Sequence, residues 1–225
     1  MSTLTSDLRG KRKQKLMIVD DHPIVRRGLA ELLARELEIE VREGTDNVAD
    51  ALAAVEAFLP DLVVVDMSLN NCSGIDVIAQ IKARYPDVKT LVWSMFDEKI
   101  FAERALQAGA MGYVNKREPI ENMVHAVRQV FQGNIYLSPH MTTRLLHRAC
   151  GGGTSEGDPV QKLSNRELEV FQMLGNGMTT KQIGRKLDLS PKTIEAHREN
   201  IKTKLDLKNA AELNRRAIQW MLENG

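Results

Sequence analysis

Polar side chains stand at the ends of four segments that read as buried strands. Apolar runs at 16–19, 62–65, 90–93 and 111–115 predict the strands, and the residues at or just beyond their ends are Asp20, Asp21, Asp66, Ser94 and Lys116. In an open sheet of parallel strands, ligands bind at the carboxyl ends of the strands. A single aspartate at a strand end is usually a turn or capping residue. Five polar residues at four such ends instead favour one shared site.

The residue types at this site favour phosphoryl chemistry. Three carboxylates at one edge would repel one another unless a cation joined them, and Mg²⁺ takes hard oxygen ligands and accepts phosphate oxygens. With Mg²⁺ and Lys116 drawing charge from an incoming phosphoryl group, one carboxylate can attack phosphorus and form an aspartyl phosphate. Asp66 follows the central strand and is the predicted nucleophile. His22 is either a metal ligand or a residue at a helix start, and the sequence favours the second.

The elements that must position these residues alternate between strands and helices. A further strand is predicted at 39–42, and helical patterns begin at Pro23 and cover 47–58, 73–85, 99–108 and 120–132. Strands joined by single helices require right-handed crossovers, so the fold class is α/β, a flavodoxin-like doubly wound parallel sheet of five strands. Near-continuous apolar runs are typical of strands that are covered on both faces.

The sequence changes character after residue 133. A linking helix at 139–149 and a Gly-rich linker at 151–159 precede four helical segments, 165–174, 180–187, 191–205 and 210–222, without any strand pattern. We therefore predict a basic N-terminal tail at 1–14, an α/β domain at 15–133, a linker region at 134–161 and an all-α domain of four helices at 162–225. Gly and Ser in the linker favour a flexible connection.

Charge is distributed unevenly along the chain. The net charge of the whole chain is +1, but residues 1–15 and residues 161–225 each carry +4, so the segment between them carries −7. A basic C-terminal domain beside an acidic body favours a nucleic-acid partner for that domain. No apolar run is long enough to span a membrane. The N-terminus lacks an apolar core after its basic residues, so we expect no secretory signal, and two cysteines without metal or redox spacing favour a reduced, cytoplasmic setting.

The C-terminal domain has the capping and turn residues that are typical of a helix-turn-helix. Ser164 with Glu167 three residues later predicts a capping box, and Ser190 followed by Pro191 predicts the cap and first position of a third helix. Gly177 lies in the turn that precedes the second helix. A three-turn helix with an exposed polar face, packed across a short helix, can enter the major groove of DNA. The alternative is a helical bundle with a solvated charged face.

Residues 15–133 resemble the receiver domain of two-component response regulators. The resemblance rests on the acidic pair after the first strand, Asp66 after the third, Ser94 after the fourth and Lys116 after the fifth. The sequences at 21–23 and 112–116 resemble the subfamily of nitrate-response and nitrogen-fixation (NarL/FixJ) regulators. Leu69-Asn70 depart from the Met-Pro that members often have after the phosphoacceptor, which predicts a more polar and less rigid loop at 68–73 and bears on phosphoryl lifetime.

The receiver resemblance implies a role for each site residue. Asp20, Asp21, Asp66 and the Ser68 carbonyl would hold Mg²⁺, and Asp66 would be the phosphoacceptor. Ser94 would bond a phosphoryl oxygen and Lys116 would pair with the phosphoryl group. Tyr113, three residues before Lys116, occupies the position of the family's aromatic switch and would rotate inward on phosphorylation; the alternative is a packed tyrosine at a sheet edge.

Residues 162–222 resemble the quorum-sensing-regulator (LuxR) type of helix-turn-helix. The resemblance rests on Leu-Ser-x-Arg-Glu at 163–167 and on the pattern of Ile, Ser, Thr and His residues between 183 and 205. It implies that 191–205 is the recognition helix. The residues expected to meet phosphates are Thr180, Lys181, Arg198, Lys202 and Lys204, and the candidates for base edges are Lys192, Glu195, Ala196 and Glu199, with Thr193 also at the DNA-binding surface. His197 is expected to fix helix packing.

Together the two resemblances imply a response regulator that acts as a transcription factor and not as an enzyme beyond its own phosphorylation and dephosphorylation. Its partners would be a cognate sensor histidine kinase, double-stranded DNA and a second copy of the chain, with dimerisation through 210–222. Two rivals stay open at this point: a phosphatase that uses an aspartyl-phosphate intermediate, and a DNA-binding protein that does not need phosphorylation.

Overall fold

The computed structural model describes residues 12–44, 48–69, 72–150 and 159–224. Its N-terminal half alternates strands and helices in the following order: β1 Lys15–Val19, α1 Pro23–Leu37, β2 Glu40–Glu43, α2 Val48–Phe58, β3 Leu62–Val65, β4 Ser68–Leu69, β5 Cys72–Ser73, α3 Gly74–Arg84, β6 Lys89–Ser94, α4 Glu98–Gln107, β7 Tyr113–Asn115 and α5 Ile120–Phe131.

A parallel sheet forms the centre of this half. The strand order is β2-β1-β3-β6-β7, so β3 is the middle strand and β1 and β6 lie beside it, with Met17 opposite Val63 and Val63 opposite Thr90. The predicted fold class and the number of strands in the sheet are therefore confirmed. The order reverses direction between β1 and β3, which places a crevice at the carboxyl ends of these two strands.

Alternate residues along each strand face opposite layers of helices. Met17, Val63 and Val65 pack into a core with α2, α3 and α4, whereas Ile18 and Val64 pack into a second core with α1 and α5. Both layers are buried because strand side chains alternate between the two faces of a sheet. This double coverage holds β1 and β3 rigidly and fixes the residues that follow them.

Two short strands were not predicted from the sequence. β4 and β5 pair antiparallel, with Ser68 opposite Ser73 and Leu69 opposite Cys72, and Leu69 is 1% exposed. The segment 68–73 was predicted as a loop; its four described residues instead form paired strands, and Leu69 packs into the core. Asn70 lies outside the described residues.

The C-terminal half is entirely helical in the part that the structure describes. Its elements are the linking helix α6 Pro139–Ala149, a 3-10 helix Pro159–Lys162, and then α7 Asn165–Gly175, α8 Thr180–Lys186, α9 Pro191–Lys204 and α10 Ala210–Asn224. Of the predicted tail and Gly-rich linker, residues 1–11 and 151–158 lie outside the described residues. Arg12 is described, and its guanidinium lies 3.1 Å from the Asp61 carboxylate.

Side-chain caps define where these helices begin. The predicted capping box is present, since Glu167 N donates to Ser164 Oγ and Ser164 N donates to the Glu167 carboxylate. Thr179 and Gln182 form a second capping box at the start of α8, and Ser190 caps α9 with Pro191 at its first position. Each cap contributes about 1 kcal/mol to helix stability. Ile183, Ile194 and the other buried apolar residues of α7 to α10 then form the interior of this half.

A pair of glycines tests how tightly α3 is pressed against the end of β3. A Cβ atom at Gly74 would lie 2.1 Å from the Asp66 carbonyl oxygen, whereas a Cβ atom at Gly28, within α1, would have nothing within 4 Å. We expect Gly74→Ala to lower the free energy of unfolding by about 1–3 kcal/mol through overpacking. Gly28→Ala should raise it by about 0.5–1 kcal/mol because alanine is the better helix former.

The measurement is urea unfolding followed by Trp93 fluorescence, with Trp220 replaced by Phe in every variant. Equal stability of the two alanine variants would contradict the close contact of Gly74 with the phosphoacceptor strand.

Candidate functional site

The five polar residues predicted from the strand ends occupy one edge of the sheet, and three of them form a buried ionic cluster. Lys116 Nζ lies 2.6 Å from Asp20 Oδ2 and 2.7 Å from Asp66 Oδ2. The Asp20 and Asp66 side chains are only 1% and 4% exposed. Asp66 N donates to Val19 O at 2.8 Å, so the β1–β3 pairing continues to the aspartate itself. The ammonium therefore joins two carboxylates that come from neighbouring strands.

Burial decides the electrostatics of Asp66. It raises the pKa of this carboxyl group to about 6; Lys116 lowers the pKa, and Asp20 raises it further. Burial also disfavours the charged form of Lys116, but Asp66 and Asp20 outweigh that effect and raise the lysine pKa. At neutral pH the cluster thus holds an ionised Asp66 whose negative charge is only partly compensated. Such a carboxylate is a suitable nucleophile and a suitable ligand for a further cation.

The arrangement of oxygen atoms fits a divalent cation. Ligand atoms of Asp20, Asp21, His22 and Asp66 all lie within 4.8 Å of one another. Burial raises the pKa of Asp21, with Asp20 adding to the shift, as expected for carboxylates that share a site without enough positive charge. The donor set is dominated by hard carboxylate oxygens, which suits Mg²⁺. His22 Nδ1 lies 2.6 Å from Asp21 Oδ1 at the N-cap of α1, and its side chain is 64% exposed.

Backbone contacts fix the acidic pair and the loop after Asp66. Arg26 Nη1 donates to the Asp20 carbonyl oxygen at 2.6 Å, and His22 N donates to Asp20 Oδ1 at 2.8 Å. Ser68 N donates to Asp66 Oδ1 at 3.3 Å. Arg26 was not singled out from the sequence, because a basic residue within an amphipathic helix gives no signal of a contact with the preceding strand.

Ser94 and Tyr113 are linked through Phe96, the middle residue of the β6–α4 loop. Ser94 Oγ accepts a hydrogen bond from Phe96 N at 3.1 Å, and the Tyr113 hydroxyl donates to Phe96 O at 3.0 Å. Asn115 Nδ2 donates to the same carbonyl oxygen at 2.8 Å. Tyr113 is 1% exposed, so its ring is already inside and has no inward rotation left to make. Burial raises its pKa well above the usual value, which keeps the hydroxyl protonated as a donor.

The predicted recognition helix, α9, turns a polar face outward. The residues predicted to read base edges, Lys192, Glu195, Ala196 and Glu199, are all exposed, as is Lys181 on α8. Gly184 permits the close crossing of α8 by the turn that follows it, since a Cβ atom there would lie 2.7 Å from Leu189 O. The described part of the receiver half therefore leaves these residues of α9 exposed.

Several predicted DNA-contacting residues also bond within the helix-turn-helix. Thr180 Oγ1 donates to Glu195 Oε1 at 2.7 Å and accepts from Arg198 Nη1 at 3.1 Å, which ties α8 to α9. Lys202 pairs with Glu199 on the same helix at 2.9 Å. Thr193 takes part in the Ser190 cap. Lys204 Nζ lies 2.6 Å from Glu167 Oε2 of α7, a structural contact that the sequence did not reveal because the two residues are far apart in the chain.

His197 lies on α9 and is half-buried, close enough to Arg166 of α7 to feel its charge. Burial lowers its pKa, and Arg166 of α7 adds to the shift. This position agrees with the predicted packing role.

Comparisons with known proteins agree with both halves of this geometry. Residues 16–128 match the response regulator receiver domain family, and residues 161–217 match the luxR family of bacterial regulatory proteins. The chain is 35% identical over 213 residues to the oxygen regulatory protein NreC of Staphylococcus carnosus (strain TM300), an alignment that covers 92% of this chain and 98% of that protein. The chain belongs to the response regulator family.

Solved structures add agreement at the level of the fold. A LuxR-family response regulator from Aurantimonas sp. SI85-9A1 is 29% identical, with a TM-score of 0.57 over 62% of this chain and 99% of that chain. RcsB from Salmonella enterica serovar Typhimurium, bound to the promoter rprA in the presence of phosphomimetic BeF3-, is 23% identical, with a TM-score of 0.58 over 91% of this chain and 98% of that chain. The regulator is thus a two-domain, NarL/FixJ-type transcription factor with a LuxR-type helix-turn-helix.

Among the described residues of this response regulator, no helix is both long and apolar enough to cross a membrane.

The charge cluster of the regulator gives a pH prediction. Lys116 lowers the pKa of Asp66 from the value that burial alone would impose, so Lys116→Met should raise that pKa above about 6. The measurement is a carboxyl-carbon NMR titration of the metal-free chain. Lys89→Met removes an equal charge from an ammonium that bonds Phe131 O and should leave the Asp66 titration unchanged. An unchanged or lowered Asp66 pKa in Lys116→Met would refute this account of the site.

Proposed function

We propose that a sensor histidine kinase phosphorylates this response regulator on Asp66 and that the phosphorylated form binds DNA as a dimer. The observation that carries the proposal is the contact of Lys116 Nζ with Asp66 at 2.7 Å and Asp20 at 2.6 Å. A buried ammonium beside a nucleophilic carboxylate is suited to stabilise a phosphoryl group that is transferred to that carboxylate. The proposed setting is the cytoplasm, which the two free cysteines fit.

In the proposed reaction an Asp66 oxygen attacks phosphorus, the bond from phosphorus to the histidine nitrogen breaks, and an aspartyl phosphate forms. Lys116 keeps its charge during the reaction because its raised pKa lies well above neutral pH, so it can pair with the transferred group. Asp20, Asp21, Asp66 and the Ser68 carbonyl would hold Mg²⁺, which when bound supplies positive charge to the phosphoryl oxygens. Hydrolysis of the acyl phosphate by water reverses the modification and is the only other reaction proposed for the chain.

Ser94 and Tyr113 provide the proposed response to the phosphoryl group. Ser94 Oγ accepts a hydrogen bond from Phe96 N and neighbours the Tyr113 hydroxyl, whose pKa it lowers by hydrogen bonding; in the proposal the Ser94 hydroxyl turns to a phosphoryl oxygen. A shift of Ser94 would move Phe96, whose carbonyl oxygen accepts hydrogen bonds from Tyr113 and Asn115. Because α4 begins two residues after Phe96, the helix would follow. The proposed switch is therefore a displacement of the loop around a buried tyrosine and not an inward rotation of its ring.

The C-terminal domain is proposed to bind double-stranded DNA through α9. Its exposed face carries Lys192, Glu195 and Glu199, and the basic residues around it can pair with phosphates. Exposed Ile218 and Leu222 on α10, at 46% and 83% exposure, offer an apolar surface for a second copy. The promoter complexes of RcsB with BeF3- support the same use of the domain here. We infer a receiver at 15–133 and a DNA-binding domain at 162–225, joined by the region 134–161.

The phosphorylation proposal is tested by intact mass after incubation with acetyl phosphate and Mg²⁺. We expect one phosphoryl group on the native chain and none on Asp66→Asn. Asp87→Asn removes an exposed carboxylate in the turn before β6 and should retain the modification. Phosphorylation of Asp66→Asn to the native extent would place the nucleophile elsewhere, and an unmodified native chain would contradict the mechanism.

The DNA proposal is tested with a mixed-sequence duplex, by fluorescence anisotropy over a range of KCl concentrations. If Lys181 meets one phosphate, Lys181→Ala should weaken binding and reduce the slope of log affinity against log salt by about 0.9. Lys82→Ala makes the same charge change on α3 of the receiver and should leave the slope unaltered. Equal slopes for all three proteins would exclude Lys181 from the interface.

A further inference from the structure

The lysine of the phosphoacceptor site reaches its partners across an intervening strand. The strand order β2-β1-β3-β6-β7 places β6 between β7, which precedes Lys116, and β3, which precedes Asp66. Lys116 N donates to Ser94 O at 2.7 Å, so the backbone of the lysine is fixed beside the end of β6. Because neighbouring strands lie about 4.8 Å apart, the side chain must extend over the end of β6 to reach Asp66.

Trp93, the penultimate residue of β6, contacts this extended side chain. The Lys116 ammonium lies over the Trp93 ring, with Nζ 5.0 Å from the ring centre, within the distance at which the face of an indole attracts a cation. Trp93 lies opposite Val114 of β7 and packs, partly buried, against the apolar core on the α1 and α5 side of the sheet. The sheet therefore fixes the ring, and the ring offers the ammonium a fixed surface.

The partners of the ammonium respond differently to phosphorylation. Asp20 Oδ2 at 2.6 Å and Asp66 Oδ2 at 2.7 Å accept hydrogen bonds from Lys116 Nζ, and the lysine side chain is only 10% exposed. Transfer of a phosphoryl group to Asp66 moves the negative charge from the carboxylate to the phosphoryl oxygens, so this contact must change. The attraction of the Trp93 ring does not depend on the charge of Asp66. The ring can therefore hold the ammonium throughout the transfer.

The position of the ammonium matters because phosphoryl transfer depends on charge that is fixed in place. A lysine ammonium is a compact charge on a flexible stem of four carbons, and it stabilises the reacting group only where negative charge develops. A displacement of about 1 Å in a reacting group can slow a reaction by about a hundredfold. A fixed ring beside the Lys116 ammonium therefore bears directly on the rate of transfer.

We propose that Trp93 is a positioning residue for phosphoryl transfer: its ring holds the Lys116 ammonium over the end of β6, where the ammonium meets the oxygens of the incoming group. Trp93 acts through Lys116 and not on the phosphoryl group itself. The inference rests on the proposed function. A tryptophan that only filled the core would affect the stability of the domain, whereas a positioning tryptophan also affects the rate of transfer through the negative potential of its ring face.

The contact is tested first in the unphosphorylated chain, without a phosphodonor or a metal ion. The chain has two tryptophans, Trp93 and Trp220, so Trp220→Phe leaves Trp93 as the single site for incorporation of 5-fluorotryptophan. We expect Lys116→Met to shift the fluorine NMR resonance of this residue. Lys89→Met removes an equal charge at the other end of β6 and should leave the resonance in place. An unchanged resonance in Lys116→Met would overturn the proposal.

The positioning role is tested by the rate of phosphorylation with acetyl phosphate and Mg²⁺, followed by intact mass. Trp93→Leu keeps an apolar side chain but removes the ring, and it should slow the reaction by about fivefold, as loss of a cation–π contact implies. Trp93→Phe keeps an aromatic face and should lose less. In the Lys116→Met background, Trp93→Leu should have no further effect, because the charge that the ring holds is absent.

Fluorination of the ring separates positioning from packing. Fluorine atoms withdraw electron density from the indole face and leave its size nearly unchanged. The rate in the Trp220→Phe chain should therefore fall stepwise from tryptophan to its mono-, di- and trifluoro analogues, whereas stability in urea should not follow this order. In the reciprocal Trp93→Phe chain the analogues enter only at Trp220 on α10 and should leave the rate unaltered.

The same samples separate the possible failures. A chain that is phosphorylated at a rate independent of ring fluorination would overturn the role of Trp93 and leave the proposed function standing. An equal loss from Trp93→Leu in the native and Lys116→Met chains would also overturn that role, because the tryptophan would then act through something other than the ammonium. A native chain that gains no phosphoryl group would overturn both proposals. If Trp93→Leu fails to fold, the fluorinated chains still decide the question.

Discussion

The pairing of one ammonium with two buried carboxylates constrains the whole N-terminal domain. Asp20 and Asp66 are almost excluded from water and come from adjacent strands, and Lys116 follows a strand at the edge of the sheet. Loss of one partner from such a cluster leaves an uncompensated buried charge, which costs about 3–5 kcal/mol. The strands must therefore keep their register, and the apolar layers on both faces of the sheet enforce it. Burial of the Asp20–Asp66–Lys116 cluster thus both requires a fixed strand register and sets the charge state of the Asp66 carboxylate.

The edge that carries the chemistry is also the edge to which the second domain is bound. β5 follows Asp66 closely and contacts α7, and α4, the helix beyond Ser94, contacts the start of the same domain through Arg104. The apolar core on the α2–α4 side continues into the DNA-binding domain through Leu163 and Phe171. The residues of α9 predicted to read base edges are exposed in the same structure. The two domains are thus in contact near the phosphoacceptor edge of the sheet, and the recognition helix stays exposed.

Sequence reasoning was strongest where a local pattern and a strand end coincide. The sheet, the helices, the Ser164–Glu167 cap and the convergence of Asp20, Asp66 and Lys116 all follow from residues that are near in sequence or from the rule for parallel strands. The β4–β5 pair was missed because two-residue strands have no periodicity to detect. The contact of Lys204 with Glu167 joins distant parts of the chain. Tyr113 was placed at the right position, but its buried state depends on how the β6–α4 loop packs.

Two acidic residues on one turn of α7 differ in the balance between burial and the groups that compensate their charge. Burial acts against the charged form of Glu167, but Lys204 and Ser164 outweigh it and lower its pKa, whereas burial prevails at Glu169 and raises its pKa to about 7. A folded-state pKa above the unfolded value means that the stabilising contribution of Glu169 is complete below about 4.5, its ordinary pKa, and is lost as pH rises through about 7. Glu167 has the opposite sign and stabilises its helix at neutral pH. At neutral pH the contacts of Glu167 therefore favour the ionised carboxylate, whereas burial disfavours it at Glu169.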